Sequence, residues 1–217
     1  MTENAPNLVA VLLLVTAAAL IPLFVVTMTS FLKISVVLAL VRNALGVQQT
    51  PPNIALYTIA LVLTIYISAP VLNTVYTRLN EQPVDLNSAQ GLKDALQRVK
   101  EPIQQNLYRY TNPKERSFFV NATKRIWPEN THMEISEKDF VVLLPAFITS
   151  ELTRAFEIGF LIYLPFLVID MVVSIILIAM GMMFVPPTLM SVPLKLLLFV
   201  SVDGWTRLLH GPILSYS

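Results

Sequence analysis

The chain has 217 residues, of which 55% are hydrophobic and 13% are charged, with a formal net charge of +1 and no cysteine. Soluble domains carry about 25% charged residues, so this composition is that of an integral membrane protein. The near-neutral charge excludes a nucleic-acid partner, and the lack of cysteine excludes disulfides, thiolate metal ligands and a cysteine nucleophile.

The first hydrophobic segment, residues 8–41, is much longer than the roughly 20 residues that a helix needs to cross a bilayer. Pro22 interrupts it and removes one backbone donor, so we expect either one long kinked helix or a helix followed by a second, shorter one. Lys33 lies deep within this apolar sequence. Two roles stay open for its ammonium, since it can extend to a lipid headgroup or pair with a carboxylate across a subunit contact.

A turn and a second apolar segment complete the predicted N-terminal hydrophobic hairpin, residues 1–72. Gly46 suits the left-handed position that follows a helix. The next apolar segment, 54–72, contains no charged residue. Arg42 and Lys33 put positive charge near the connecting turn, so the positive-inside rule predicts a cytoplasmic turn, with both chain termini on the far side of the membrane.

Residues 73–139 form a predicted water-exposed, periplasmic region, because they hold 19 of the 29 charged side chains. Apolar residues recur at helical spacing in 88–105, which predicts an amphipathic helix with Asn87 or Ser88 as its N-cap. A second helix is predicted within 108–125. Ser136 and Asp139 stand in a Ser-x-x-Asp pattern before an apolar run. That pattern predicts the start of the next helix.

Residues 140–217 form the predicted C-terminal hydrophobic hairpin, with apolar spans at 158–185 and 188–202. Charged residues are sparse here, but they recur. An ionised group costs roughly 2.5–3.5 kcal/mol at the centre of a membrane helix, so these groups need protein partners or water. The expected inter-subunit or buried ionic residues are Lys33, Glu151, Arg154, Glu157, Asp170, Lys195 and Asp203.

The spacing of these charges leaves alternatives open. Glu151 and Arg154 are three residues apart and can pair on one helix face. Together with Glu157 they belong either to a solvated helix end or to a set of ion pairs between subunits. Asp170, alone near the middle of a span, is either a proton relay or the partner of Lys195 in the returning span.

A soft, bulky run separates the two spans: Met180-Gly181-Met182-Met183-Phe184, followed by Pro186-Pro187. Methionine is unbranched and polarizable and fills irregular gaps, so core filling is one interpretation. The other is a deformable seal, formed by copies of these side chains around a central axis. Gly181 and the prolines favour a break in the helix, which a membrane tolerates only where the backbone is buried in protein or lines a pore. The candidate pore-gasket residues are Met180, Met182, Met183 and Phe184.

Catalytic motifs are absent from the sequence. It contains no Gly-rich phosphate loop, no His-Glu-x-x-His and no Gly-x-Ser-x-Gly. We therefore expect a protein that is not an enzyme and that uses no metal and no cofactor. A small multi-pass ion or solute transporter with Asp170 as its coupling group stays an alternative, although the two halves show no internal repeat of the kind that would support it.

Several blocks of sequence carry a family resemblance. They are Val41-Arg42-Asn43-Ala44-Leu45-Gly46, Leu144-Pro145-Ala146-Phe147, Ala155-Phe156-Glu157-Ile158-Gly159-Phe160, Ile169-Asp170, Met180-Gly181-Met182-Met183, Val185-Pro186-Pro187 and Val202-Asp203-Gly204-Trp205. With these blocks in this order, the chain resembles the inner-membrane export-gate protein of type III secretion systems, the SctR family, which is related to the flagellar export protein FliP.

The resemblance implies an all-α fold whose membrane-associated helical hairpins form a ring-like oligomer of five copies. It implies two other small hydrophobic export-apparatus subunits and a larger export-gate membrane protein as partners. The assembly passes unfolded protein substrates across the bacterial inner membrane, in contact with its lipid. The methionine gasket of the family corresponds to Met182 and Met183, and Phe184 stands where many relatives have a third methionine.

Overall fold

The computed structural model describes residues 8–47, 49–81, 89–128 and 135–216. Within these ranges the chain is all-α and contains no strand, which confirms the predicted fold class. The helices are α1 (Leu8–Met28), α2 (Phe31–Ala44), α3 (Asn53–Asn80), α4 (Ala89–Tyr110), α5 (Pro113–Ile126), α6 (Phe140–Ala179), α7 (Pro187–Ser201) and α8 (Gly204–Leu214).

The first hydrophobic segment is two helices, the second of the two alternatives. Pro22 lies inside α1, and the break falls later, at Thr29 and Ser30, where α1 and α2 meet at an angle of 67°. The hydroxyl of Thr29 donates to the carbonyl of Val25 and accepts from the N–H of Phe31 at 3.3 Å. One side chain therefore satisfies backbone groups on both sides of the break.

Helix α2 is the centre of the larger core, where Ile34, Val37 and Val41 are almost completely buried. It packs mainly against α6 and α3. Gly159 of α6 permits a close approach of α2, because a Cβ built there would lie 2.3 Å from Cδ1 of Leu40. Small residues at helix contacts let backbones approach in this way.

Helix α6 is one continuous helix of 40 residues, about 60 Å long at 1.5 Å per residue. The sequence predicted a span at 158–185, but this helix begins at Phe140 and ends at Ala179. Pro145 and Pro165 lie inside it without ending it. Prolines are tolerated in membrane helices where neighbouring groups satisfy the freed backbone atoms.

Both helices predicted in the charged region are present, as α4 and α5. Asn112 caps α5 by accepting from the N–H of Lys114 at 3.0 Å. The predicted cap of α4 at Asn87 or Ser88 lies outside the described residues. A small second core joins α4 to α6 through Leu107 and Leu143.

The Ser-x-x-Asp signal forms its bonds one turn ahead of α6. The carboxylate of Asp139 accepts from the N–H of Ser136 at 2.7 Å, and the Ser136 hydroxyl accepts from the N–H of Lys138 at 3.3 Å. The pattern therefore marks the right place in the chain, although the helix itself begins at Phe140.

Within the described ranges, α3 and α6 are long and apolar enough to cross a membrane. Two more spans result if each bent pair, α1 with α2 and α7 with α8, counts as one. Most of the apolar surface of α6 beyond its middle is exposed, including Leu161 and Ile175. So much exposed apolar surface indicates contact with lipid or with other proteins.

Candidate functional site

A buried ion pair joins α2 to α6. The ammonium of Lys33 lies 3.4 Å from a carboxylate oxygen of Glu151, and both side chains are 0% exposed. Lys33 also donates to the hydroxyl of Ser215 at 2.8 Å. Arg154 lies 3.5 Å from the other oxygen of Glu151, as the spacing of those two residues allowed. Lys33 thus pairs with a carboxylate of its own chain.

Tyr216, at the end of the described chain, closes the cluster that these residues form. Its hydroxyl donates to Glu151, and its ring centroid lies 3.4 Å from the ammonium of Lys33. Its carbonyl accepts from the hydroxyl of Tyr110 at 3.1 Å. Burial, and then the nearby charge of Glu151, raise the pKa of the Tyr216 phenol well above its ordinary value, so the phenol stays a donor.

This Lys33–Glu151–Tyr216 cluster meets the condition for a stable buried charge. Desolvation of two ions costs more than their attraction returns unless hydrogen bonds satisfy the remaining donors and acceptors. Here Lys33 has a carboxylate, a hydroxyl and an aromatic face around it. Sequence analysis missed Tyr216, because nothing in the local pattern links Tyr216 to the first third of α6, where Glu151 lies.

A second ion pair joins α6 to α7. The ammonium of Lys195 lies 2.6 Å from a carboxylate oxygen of Asp170 and donates to the carbonyl of Ala44 at 3.1 Å. Ser191 donates to the other oxygen of Asp170 at 2.6 Å. Ala44 is the last residue of α2, so Lys195 also satisfies a free carbonyl at the negative end of that helix. Of the two roles open to Asp170, the structure shows the pairing.

Glu157 and Asp203 are placed differently from the other expected ionic residues. Both are exposed, and neither side chain makes an ion pair with any residue that the structure describes. Asp203 has a left-handed φ of 52° at the corner between α7 and α8, and its carbonyl accepts from the N–H of Arg207 at 3.1 Å. Asp is one of the few residues that adopts this conformation readily.

The methionine-rich run forms an ordered turn between α6 and α7. Gly181 has a φ of 76°, its N–H donates to the carbonyl of Ile178 at 3.0 Å, and the N–H of Met182 donates to Leu177 at 2.9 Å. This pair of bonds is the Schellman arrangement that ends a helix. The N–H of Val185 then donates to the carbonyl of Met182 at 3.2 Å, closing a second turn before Pro187 begins α7.

The turn displays its apolar side chains instead of burying them. Met183 is 76% exposed and Phe184 is fully exposed, at the tip between Met182 and Val185. Met180 is also largely exposed. These side chains therefore do not fill the core of their own chain, which was one of the two interpretations. We refer to residues 180–185 as the methionine turn.

The sequence matches a known protein family over nearly its whole length. The sequence profile described as the FliP family matches residues 14–211. The chain belongs to the FliP family. Within it, the chain is 49% identical over 217 residues to probable translocation protein y4yL of Sinorhizobium fredii, covering 100% of this chain and 98% of that protein. It is 50% identical over 210 residues to Yop proteins translocation protein R of Yersinia pestis, covering 97% and 95% of the two chains.

A third relative is virulence protein YscR of Salmonella typhimurium, 45% identical over 200 residues, or 92% of each chain. Membership of the FliP family confirms the resemblance drawn from the sequence blocks. This FliP-family chain is a type III secretion export-apparatus protein and not a solute transporter. It works with other components of that apparatus, its apolar helices suit the inner membrane, and the family is not an enzyme class.

Proposed function

We propose that this FliP-family protein is a core subunit of the export gate, and that five copies form the pore through which unfolded secreted proteins cross the inner membrane. The observation that carries the proposal is the methionine turn. It presents two large apolar side chains, Met183 and Phe184, that their own chain leaves exposed. Full burial of one such side chain contributes about 1.5–3 kcal/mol, so the turns of several copies gain by converging.

The chemistry of the turn fits a gate that must both close and yield. Methionine has three rotatable side-chain bonds and a polarizable sulfur, so it packs well in more than one arrangement. A ring of Met182 and Met183 would seal the pore to ions when it is empty and would widen around an extended polypeptide. Phe184 has fewer rotatable bonds, so it would narrow the ring and make it stiffer than a third methionine would.

The two ion pairs hold in place the helices that flank the methionine turn. Glu151 with Lys33 holds α6 against α2, and Lys195 with Asp170 holds α7 against α6. Both helices that flank the methionine turn are therefore tied to the same core. Because both ion pairs lie within one chain, they would fix the methionine turn at the same position in every copy of the ring. Exposed Glu157 is then left for contacts between copies.

The exposed outer faces of α6 and α7 fit the expected partners: two other small hydrophobic subunits, a larger export-gate membrane protein and lipid. The proposed topology has four spans, with the charged region 73–139 in the periplasm. The abundance of charged residues in 73–139 supports a position outside the bilayer for this region, since helices α4 and α5 are too polar to enter it.

Bilayer recording of the purified complex tests the gate. The double variant Met182→Ala, Met183→Ala removes most of the bulk of the seal, and we expect a steady ion leak in the closed state. Met171→Ala is the matched control, because Met171 is an exposed methionine of α6 away from the turn. A double variant that leaks no more than this control would refute the role of the turn.

A further inference from the structure

An apolar groove with a volume of about 340 Å³ lies where α6, α7 and α8 meet. Its lining includes Phe166, Leu198, Phe199, Val202 and Leu208, with Arg207 as the charged residue. None of the residues that form the two ion pairs lines it. The groove is therefore a feature separate from the methionine turn and from the ionic core.

The corner between α7 and α8 creates the groove. The two helices meet at 65°, directly after the left-handed Asp203. Gly204 lets α8 start against the ring of Phe199, since a Cβ there would lie 2.3 Å from a ring carbon. Phe199 in turn contacts Phe166, with ring centroids 6.4 Å apart, so the floor of the groove is aromatic.

Polar and aromatic side chains lie at the edge of this groove. Arg207 is exposed, and its guanidinium makes no ion pair with the residues that the structure describes. Trp205 packs edge-on against Phe199 at 5.4 Å and keeps a large part of its surface exposed. Asp203, one turn before Arg207, is also unpaired in the described structure, so the corner as a whole has no net charge.

We propose that this groove binds a phospholipid, with an acyl chain against the accessible lining residues Ile162, Leu198 and Val202 and the headgroup phosphate on Arg207. The apolar lining fits a hydrocarbon chain, and an unpaired guanidinium at its edge complements a phosphate, which it binds through two parallel hydrogen bonds. Trp205 lies two residues before Arg207, and tryptophan is typical of the interface between membrane and water. Because Asp203 offsets the charge of Arg207, recognition depends on the phosphate group and not on a general attraction to anionic membrane.

Lipid retention measured by native mass spectrometry tests the site, using the full-length protein in detergent in the oligomeric state that it adopts. The probes are dioleoyl phosphatidylethanolamine, dioleoyl phosphatidylglycerol and dioleoylglycerol, which lacks the phosphate. We expect both phospholipids to be retained and dioleoylglycerol to be lost. Arg207→Gln lowers phospholipid retention about five-fold, while Arg125→Gln, at an exposed cation on α5, leaves it unchanged.

A second variant separates the groove from general effects on folding. The chain has no cysteine, so Val202→Cys offers one thiol at a partly exposed position of the lining. A bulky maleimide, added after purification, fills the groove in protein that is already folded, and we expect it to displace the lipid. The proposal is wrong if labelled protein keeps its lipid, if Arg207→Gln behaves as Arg125→Gln, or if dioleoylglycerol is retained equally. It is also wrong if the thiol is covered by a second copy and cannot be labelled.

Discussion

The ammonium of Lys33 and the carboxylate of Glu151 lie 3.4 Å apart in the interior, with neither side chain exposed. Removal of one member leaves the other as an uncompensated buried charge, which typically costs about 3–5 kcal/mol. We therefore expect Lys33→Met to reduce the amount of folded protein and its resistance to protease strongly. Lys114→Met, at an exposed position of α5, serves as the control.

The double variant Lys33→Met, Glu151→Leu sharpens this prediction. It removes both charges, and apolar replacements of buried ion pairs are often neutral or stabilising. We expect the double variant to be more stable than Lys33→Met alone. If the two proteins melt at the same temperature, the pair is not the source of the loss.

Tyr216→Phe keeps the ring over Lys33 and removes only the hydroxyl that donates to Glu151. Hydrogen bonds to charged groups contribute about 1.5–3 kcal/mol, so a loss in that range is expected in thermal or chemical unfolding. Tyr76→Phe, at an exposed position of α3, should change stability by much less. Equal effects of the two substitutions would contradict the role of Tyr216.

The hydrogen bond from Tyr216 to Glu151 also predicts how its contribution to stability depends on pH. The pKa of Tyr216 is raised in the folded protein, so its contribution is fully present below the unfolded value of about 10 and is lost only as the pH rises toward the folded value. The stability difference between the original protein and Tyr216→Phe should therefore be constant from about pH 6 to pH 9. A difference that falls steadily over this range would contradict the prediction.

Gly181→Ala tests the backbone of the methionine turn. Gly181 has a φ of 76°, and a Cβ there meets no atom within 4 Å, so the cost comes from the left-handed conformation alone. That cost is about 1–2 kcal/mol. Gly211→Ala is a matched control in α8, where a Cβ also meets nothing within 4 Å but the backbone is helical, and it should be neutral or slightly stabilising. The difference in melting temperature between the two variants measures the strain.

Gly159→Ala tests the contact between α2 and α6 at Leu40. The new Cβ would lie 2.3 Å from Cδ1 of Leu40, and overpacking of this kind costs about 1–3 kcal/mol. Leu40→Ala should be less harmful in the Gly159→Ala background than in the original protein, because it makes room for the added methyl group. A double-variant cycle of unfolding free energies measures this coupling. A coupling of zero would show that the added methyl group does not clash with Leu40.

Local features of the fold follow from the sequence. Gly46 adopts the left-handed backbone predicted for it, and the helix breaks at Gly181 as predicted, because the residues that end a helix act within one turn. The all-α class and the helices of the charged region follow from hydrophobic period and composition. The possible pairing of Asp170 with Lys195 was foreseeable, since one turn joins the two spans that carry them.

The tertiary structure alone decided the rest. Nothing local places Tyr216 beside Glu151 or makes Lys33 the partner of that carboxylate, because these contacts depend on how α2, α6 and the chain end pack together. Nor does a proline by itself decide whether a helix breaks: Pro22 and Pro165 lie within intact helices, while the break falls at Thr29. A missing backbone donor is a local property, but its consequence depends on which neighbours satisfy the freed carbonyl. The sequence by itself determined the all-α class and the family, and packing decided where the long helices begin and end and which buried charges meet.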